Sequence, residues 1–162
     1  MVKAICWILF LFFLLLLTKN IVFKKSPQYY KNYFRREYKH YKVKEGWEQA
    51  NTKPFSTIRL FYYSKRMRTD YKQNNLLGNV IGFIPFGFLL PLLMRWFRRL
   101  PRTLFAGFIL SLGYEMMQLL FGLGIFDVDD LILNMTGCFI GYLLFLMIRS
   151  FVLAQEKKKI PV

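Results

Sequence analysis

The chain is poor in the residues that staple or ligate: it holds two cysteines and one histidine. Cys6 and Cys138 both lie inside apolar runs, where a thiol behaves as a small hydrophobe, and neither a disulfide framework nor a zinc spacing is present. His40 stands alone in a basic segment, which excludes a His-rich metal site; no metal and no cofactor is expected. Acids are scarce too, with 9 Asp+Glu against 24 Lys+Arg. What abounds is apolar, 55% hydrophobic and 19% aromatic. A chain this hydrophobic and this charged must keep the two kinds of residue apart. Long apolar stretches alternate here with short blocks dense in Lys and Arg, the pattern of a multi-span membrane protein. A soluble basic domain would interleave them at helix or strand period.

Four spans are expected, Ala4–Phe23, Leu76–Met94, Thr103–Phe126 and Leu131–Leu153. The fold class is therefore all-α, a four-helix transmembrane bundle forming a single domain over residues 1–162. The first run is close to the ~20 residues a bilayer core requires. Lys3 in front gives it the look of a signal peptide, but no small-x-small cleavage pattern follows, so it reads as an uncleaved anchor. Residues 24–75 form a long basic connection carrying Tyr29, Tyr30, Tyr33, Phe34, Tyr38, Tyr41 and Trp47. It is expected to be partly helical and to lie on the membrane surface, with membrane lipids as its partners. Basic-plus-aromatic composition also suits single-stranded nucleic acid, but flanking spans argue against nucleic acid as a partner.

An even number of spans puts both termini and the Arg95–Arg102 turn on one side. The positive-inside rule makes that side the cytoplasm. The 24–75 connection breaks the rule, because outside it would carry more Lys and Arg than the cytoplasmic segments together. The short Arg turn, held between two strongly apolar spans, is given the greater weight.

Connectivity then brings the start of the second span, the end of the third and the start of the fourth to one membrane face. That face holds Asn75 and Asn79, Glu115 and Gln118, and Asp127, Asp129, Asp130 and Asn134, the candidate ligand-binding polar pocket. At 1.5 Å rise per residue Glu115 should lie roughly 15 Å below the acidic turn, near the bilayer middle. Ser111, Glu115 and Gln118 share one helix face; Asp130, Asn134, Gly137 and Gly141 share another. Gly78/Gly82 and Gly137/Gly141 are small-xxx-small patterns that let helices approach closely. An acid in mid-membrane costs roughly 2.5–3.5 kcal/mol on the insertion scale. Interhelical glue does not require ionisable groups, which favours function over packing for Glu115 and the aspartates; for the asparagines the two readings stand level. Such a cluster could take a divalent cation, bind a cationic amine, act as general acid and base, or carry protons. Spacing alone does not choose among them.

The segment Asn75-Leu76-Leu77-Gly78-Asn79-Val80-Ile81-Gly82-Phe83-Ile84-Pro85-Phe86-Gly87 resembles the N-x-x-x-N-x-x-x-F-I-P-F-G stretch of VanZ-like membrane proteins. Glu115-Met116-Met117-Gln118 is similar to their E-x-x-Q, and Asp127 to Gly137 to their D-x-D-D-x-x-x-N-x-x-G. Asn51-Thr52-Lys53-Pro54-Phe55-Ser56-Thr57 resembles their N-L-x-P-F-x-T loop. The resemblance runs in order from Asn51 to Gly141. Two departures stand out: Thr52 replaces a Leu, and the Arg that many members carry shortly before the first Asp is absent from Gly122–Phe126. The resemblance implies a small helical membrane protein of Gram-positive bacteria, linked to low-level resistance to teicoplanin-type glycopeptides, with an outward polar site. On that footing the expected function is to bind a lipid-linked or cationic envelope ligand and modulate the envelope or glycopeptide susceptibility. The rival readings are an intramembrane enzyme using Glu115 and an Asp on a lipid or wall precursor, and a structural or accessory membrane protein.

Overall fold

A computed structural model describes residues 2–23, 26–35, 40–63 and 69–158. Its elements are α1 (Val2–Val22), α2 (Pro27–Arg35), α3 (His40–Glu48), α4 (Ser56–Tyr63), α5 (Thr69–Leu93), a single 3-10 turn at Arg95–Arg98, α6 (Leu100–Leu120) and α7 (Val128–Lys158). The fold is all-helical, and α1, α5, α6 and α7 are each long and apolar enough to cross a membrane. The least apolar span is Leu100–Leu120, with mean hydropathy 1.3 against 2.0 to 2.4 for the others. The difference is carried by Ser111, Glu115 and Gln118, all of which are buried in the bundle.

The span limits differ from the expected ones for local reasons. The third span stops at Leu120 instead of reaching Phe126. Gly122 adopts φ 61°, Gly122 N donates to Leu119 O, and Leu123 N donates to Gln118 O. That is a Schellman termination, which favours a residue without a Cβ at the left-handed position. The fourth span starts at Val128 instead of Leu131, because the Asp127 carboxylate caps it by accepting Asp129 N at 2.8 Å. Helix α5 begins at Thr69, about two turns before its apolar stretch, and runs through Pro85 and Pro91 without breaking. Neighbouring helices in a bundle re-satisfy the carbonyls such prolines release.

Helices α5 and α7 form the most extensive pair. A Cβ on Gly137 would sit 2.0 Å from Val80 O, one on Gly141 2.0 Å from Ile84 O, and one on Gly87 2.0 Å from Cys138 O. The two backbones therefore touch, as small residues at a membrane interface permit. Gly137 and Gly141 play the expected packing role. Gly78 and Gly82 do not pair with them: Gly78 faces open space and Gly82 faces Leu17 of α1. Helix α1 joins through Phe10 against Phe86, ring centroids 6.0 Å apart, and through Thr18 Oγ1 and Tyr114 Oη, 2.9 Å apart. Phe83 meets Tyr114 edge-on in the same core.

The long connection packs on the α6–α7 end of the bundle. Tyr33 Oη of α2 donates to Phe121 O at 3.0 Å, and Gly46 of α3 lies against Gly124, where a Cβ would meet the carbonyl oxygen at 3.0 Å. The remaining contact, between residues 51–58 and the acidic turn, builds the candidate site.

Candidate functional site

The acidic turn is a clamp on the preceding loop. Asn51 N donates to Phe126 O at 2.8 Å and Val128 N to Asn51 O at 3.0 Å, an isolated parallel bridge between Asn51 and Asp127. Asn51 Nδ2 donates to Asp127 Oδ1 at 2.7 Å and Thr57 Oγ1 to Asp127 Oδ2 at 2.7 Å. Asp129 is fully buried, and its carboxylate takes three backbone donors: Phe55 N on Oδ1, then Thr57 N at 2.7 Å and Ile58 N at 3.1 Å on Oδ2. Those amides open α4, so an acid in the first turn of α7 caps α4 from across the fold. A carboxylate at a helix N-terminus meets unpaired N–H groups and the positive end of the helix dipole. The buried charge is thus offset by directed donors.

The loop is shaped to deliver them. Asn51 Oδ1 accepts Lys53 N at 3.1 Å and Ser56 Oγ at 2.6 Å, folding Asn51 to Ser56 into a tight reversal. Phe55 has φ 65°, the single left-handed non-glycine residue among those described. For an L-residue with a Cβ that conformation costs about 1–2 kcal/mol.

Below the clamp lies a layer of buried polar side chains. Glu115 is 1% exposed, and its Oε2 accepts Asp127 N at 3.0 Å. This replaces the expected depth of about 15 Å between them: α6 stops six residues before Phe126, and the chain folds back far enough to set the turn on the Glu115 carboxylate. Asn134 Nδ2 donates to Ser111 Oγ at 2.8 Å. Gln118 Nε2 turns to Ile21 O of α1 at 3.2 Å, so it ties the anchor helix to the bundle. Asn79 Nδ2 and Asn134 Oδ1 are buried without a hydrogen-bond partner.

Of the expected pocket, Asn79, Glu115, Gln118, Asp127, Asp129 and Asn134 lie in this end of the bundle, and Asp130 stands partly buried in the first turn of α7. The side chain of Asn75 lies outside the described residues. Among the described residues no group of three His, Cys, Asp or Glu side chains is arranged to hold a metal. The oxygens of Asp127 and Asp129 already carry protein donors, which disfavours them as cation ligands. Asn51 and Thr57 were not among the expected site residues, although both hold Asp127 directly. The signal for them was the Asn51–Thr57 motif itself, standing apart in sequence from the acids it meets.

These features define a class: a helical membrane protein of four spans whose extramembrane loop is clamped to an acidic helix start over a buried polar layer. The chain belongs to the VanZ/LLP1 family, whose model matches residues 7–149. It is similar to Protein VanZ of Enterococcus faecium, 40% identical over 70 residues. That likeness spans 43% of this chain and 43% of the relative's length. No solved structure matches the chain.

Proposed function

We propose that this VanZ-family protein binds a membrane-borne ligand of the cell envelope through the buried polar layer, and thereby alters the envelope or its susceptibility to teicoplanin-type glycopeptides. The observation that carries the reading is the pair of unpartnered atoms, Asn79 Nδ2 and Asn134 Oδ1, on side chains 6% and 1% exposed. A buried polar atom without a partner costs about 1–3 kcal/mol. A donor and an acceptor left over in one layer of a membrane bundle are therefore candidates for contact with something the protein binds. They suit a neutral hydrogen-bonding group better than a cation, since the nearby aspartates are occupied. With the Arg95–Arg102 turn in the cytoplasm, both termini are cytoplasmic and the clamped loop faces outward.

The test is Asn79→Leu, a near-isosteric change that removes the unpaired donor. Interhelical packing alone predicts equal or greater thermal stability with no change in phenotype. The proposed role predicts equal or greater stability together with loss of the teicoplanin susceptibility shift that the wild type confers on a susceptible host. Retention of the full shift by a folded Asn79→Leu variant sinks the reading.

A further inference from the structure

We propose that the clamped loop and the α6–α7 surface beneath it form a binding site for one phosphate-headed membrane lipid, with the head held by Lys53 and Arg59 and a hydrocarbon chain lying along α6 and α7. The site is separate from the buried amide layer and does not depend on it.

The head site is a groove of about 650 Å³ lined by Lys53, Pro54, Phe55, Arg59, Leu60 and Tyr63. Among the described residues neither Lys53 nor Arg59 pairs with a carboxylate, and the ion pair present there is Lys44–Glu48, elsewhere in the loop. The groove thus offers two unneutralised cations beside exposed Leu60 and Tyr63. Cations set among aromatic and aliphatic side chains complement an anionic amphiphile at the headgroup level.

Phe55 gives the second observation. A left-handed backbone is ordinarily given to glycine, yet here a phenylalanine adopts it and is 57% exposed at the lip of the groove. Its side chain is not needed to fill a core. The buried Asp129 carboxylate holds its N–H and so maintains the strained turn. Strain kept in place by surrounding structure, on a residue whose side chain faces outward, marks a position selected for contact.

The chain site is the apolar groove of about 450 Å³ lined by Leu104, Phe108, Leu131, Ile132, Met135 and Phe139, with Val128 and Thr136 at its edge. Val128 N is bonded to Asn51 O, two residues before Lys53. Thr136 follows Asp129 by seven residues, which places it on nearly the same side of α7 about 10 Å further along. The apolar groove therefore starts at Val128, the residue through which α7 is bonded to the loop. A head over the loop and a chain along α7 fit one lipid molecule.

The experiment is native mass spectrometry of the full-length protein released from detergent with phosphatidylglycerol, phosphatidylcholine or sn-glycerol 3-phosphate added. Phosphatidylglycerol is expected to be retained in preference to phosphatidylcholine, and glycerol phosphate is expected neither to bind nor to compete. The Lys53→Gln/Arg59→Gln double variant should lose about thirtyfold in phosphatidylglycerol affinity. Lys31→Gln/Lys44→Gln, with the same charge loss in the same loop, should stay within twofold of wild type. Ile132→Trp, which fills the apolar groove and leaves the cations in place, should also weaken retention. Equal losses in the two double variants would reduce the effect to net charge and overturn the proposal, as would competition by glycerol phosphate or unchanged binding in Lys53→Gln/Arg59→Gln. Because Asn79 plays no part here, lipid binding and the susceptibility phenotype can fail independently.

Discussion

Replacing Asp129 by Asn tests whether the acidic turn holds the loop. The two side chains have the same shape, so the change isolates charge and acceptor number. In the wild type the carboxylate takes Phe55 N on one oxygen and Thr57 N and Ile58 N on the other. An amide has a single oxygen. Whichever way it turns, its NH₂ faces at least one of these N–H groups, donor against donor, in a position with no exposure to solvent. One or two charge-assisted hydrogen bonds disappear, each contributing about 1.5–3 kcal/mol. The favourable placement of a negative charge at the α4 N-terminus goes with them. Taken together, and allowing for incomplete additivity, the loop should open more easily by about 3 kcal/mol. That corresponds to about a hundredfold faster amide exchange if exchange follows local opening. Hydrogen–deuterium exchange of peptides covering residues 51–63, in detergent, reads the effect directly. Peptides from the α5–α7 contact should change little, since among the described residues Asp129 makes no hydrogen bond to α5. Protection of residues 55–58 within threefold of wild type would refute the reasoning.

Other perturbations separate packing from the loop. Gly141→Ala places a Cβ 2.0 Å from Ile84 O, so α5 and α7 must part, and thermal unfolding should show a loss of about 3 kcal/mol or more, whereas Gly78→Ala meets nothing and should be neutral or stabilising by up to about 1 kcal/mol. Phe55→Gly relieves the left-handed strain at some cost in chain entropy, so stability should hold or rise by up to about 1 kcal/mol while phosphatidylglycerol retention falls. Tyr62, 82% exposed on α4, becomes a topology reporter as Tyr62→Cys: an impermeant maleimide should label it in whole cells, and protection until lysis would reverse the orientation.

The four spans were legible because hydrophobic length alone sets them. Their ends were less so. Gly122 stops α6 through a left-handed cap, but a glycine among apolar residues is equally at home inside a span, and sequence gives no way to see Leu123 N returning to Gln118 O. The same misplacement made Glu115 look deep, whereas the reversed chain brings Asp127 N onto its carboxylate. Helical spacing put Ser111, Glu115 and Gln118 on one face of the third span and Asp130 and Asn134 on one face of the fourth, and the structure buries Ser111, Glu115, Gln118 and Asn134. The glycine stripes were half right: Gly137 and Gly141 face α5, but the α5 residues they meet are Val80 and Ile84, through backbone carbonyls that carry no sequence signal. Least legible was the clamp. Asn51 and Thr57 lie 76 and 70 residues from Asp127 in the chain, and a partnership across that distance is fixed by the fold alone.

That partnership changes what the aspartates are for. A free acidic turn at the mouth of a bundle would be read as a cation or substrate site. Asp127 and Asp129 instead order a loop that would otherwise have only short helices, α2 to α4, to organise it, and they do so with donors that a neutral residue could not satisfy equally. The absence of an Arg shortly before Asp127 is consistent with this arrangement, because backbone N–H groups offset the Asp129 charge without a side-chain cation. The consequence is a division of labour within one end of the bundle. The acids hold the loop, the loop leaves Lys53, Phe55 and Arg59 exposed, and the uncharged amides of Asn79 and Asn134 keep their unpaired atoms buried in the bundle. Acid loss should therefore act indirectly, by disordering the loop, and an acid variant in which the loop stays protected from exchange should keep whatever the loop and the amide layer do.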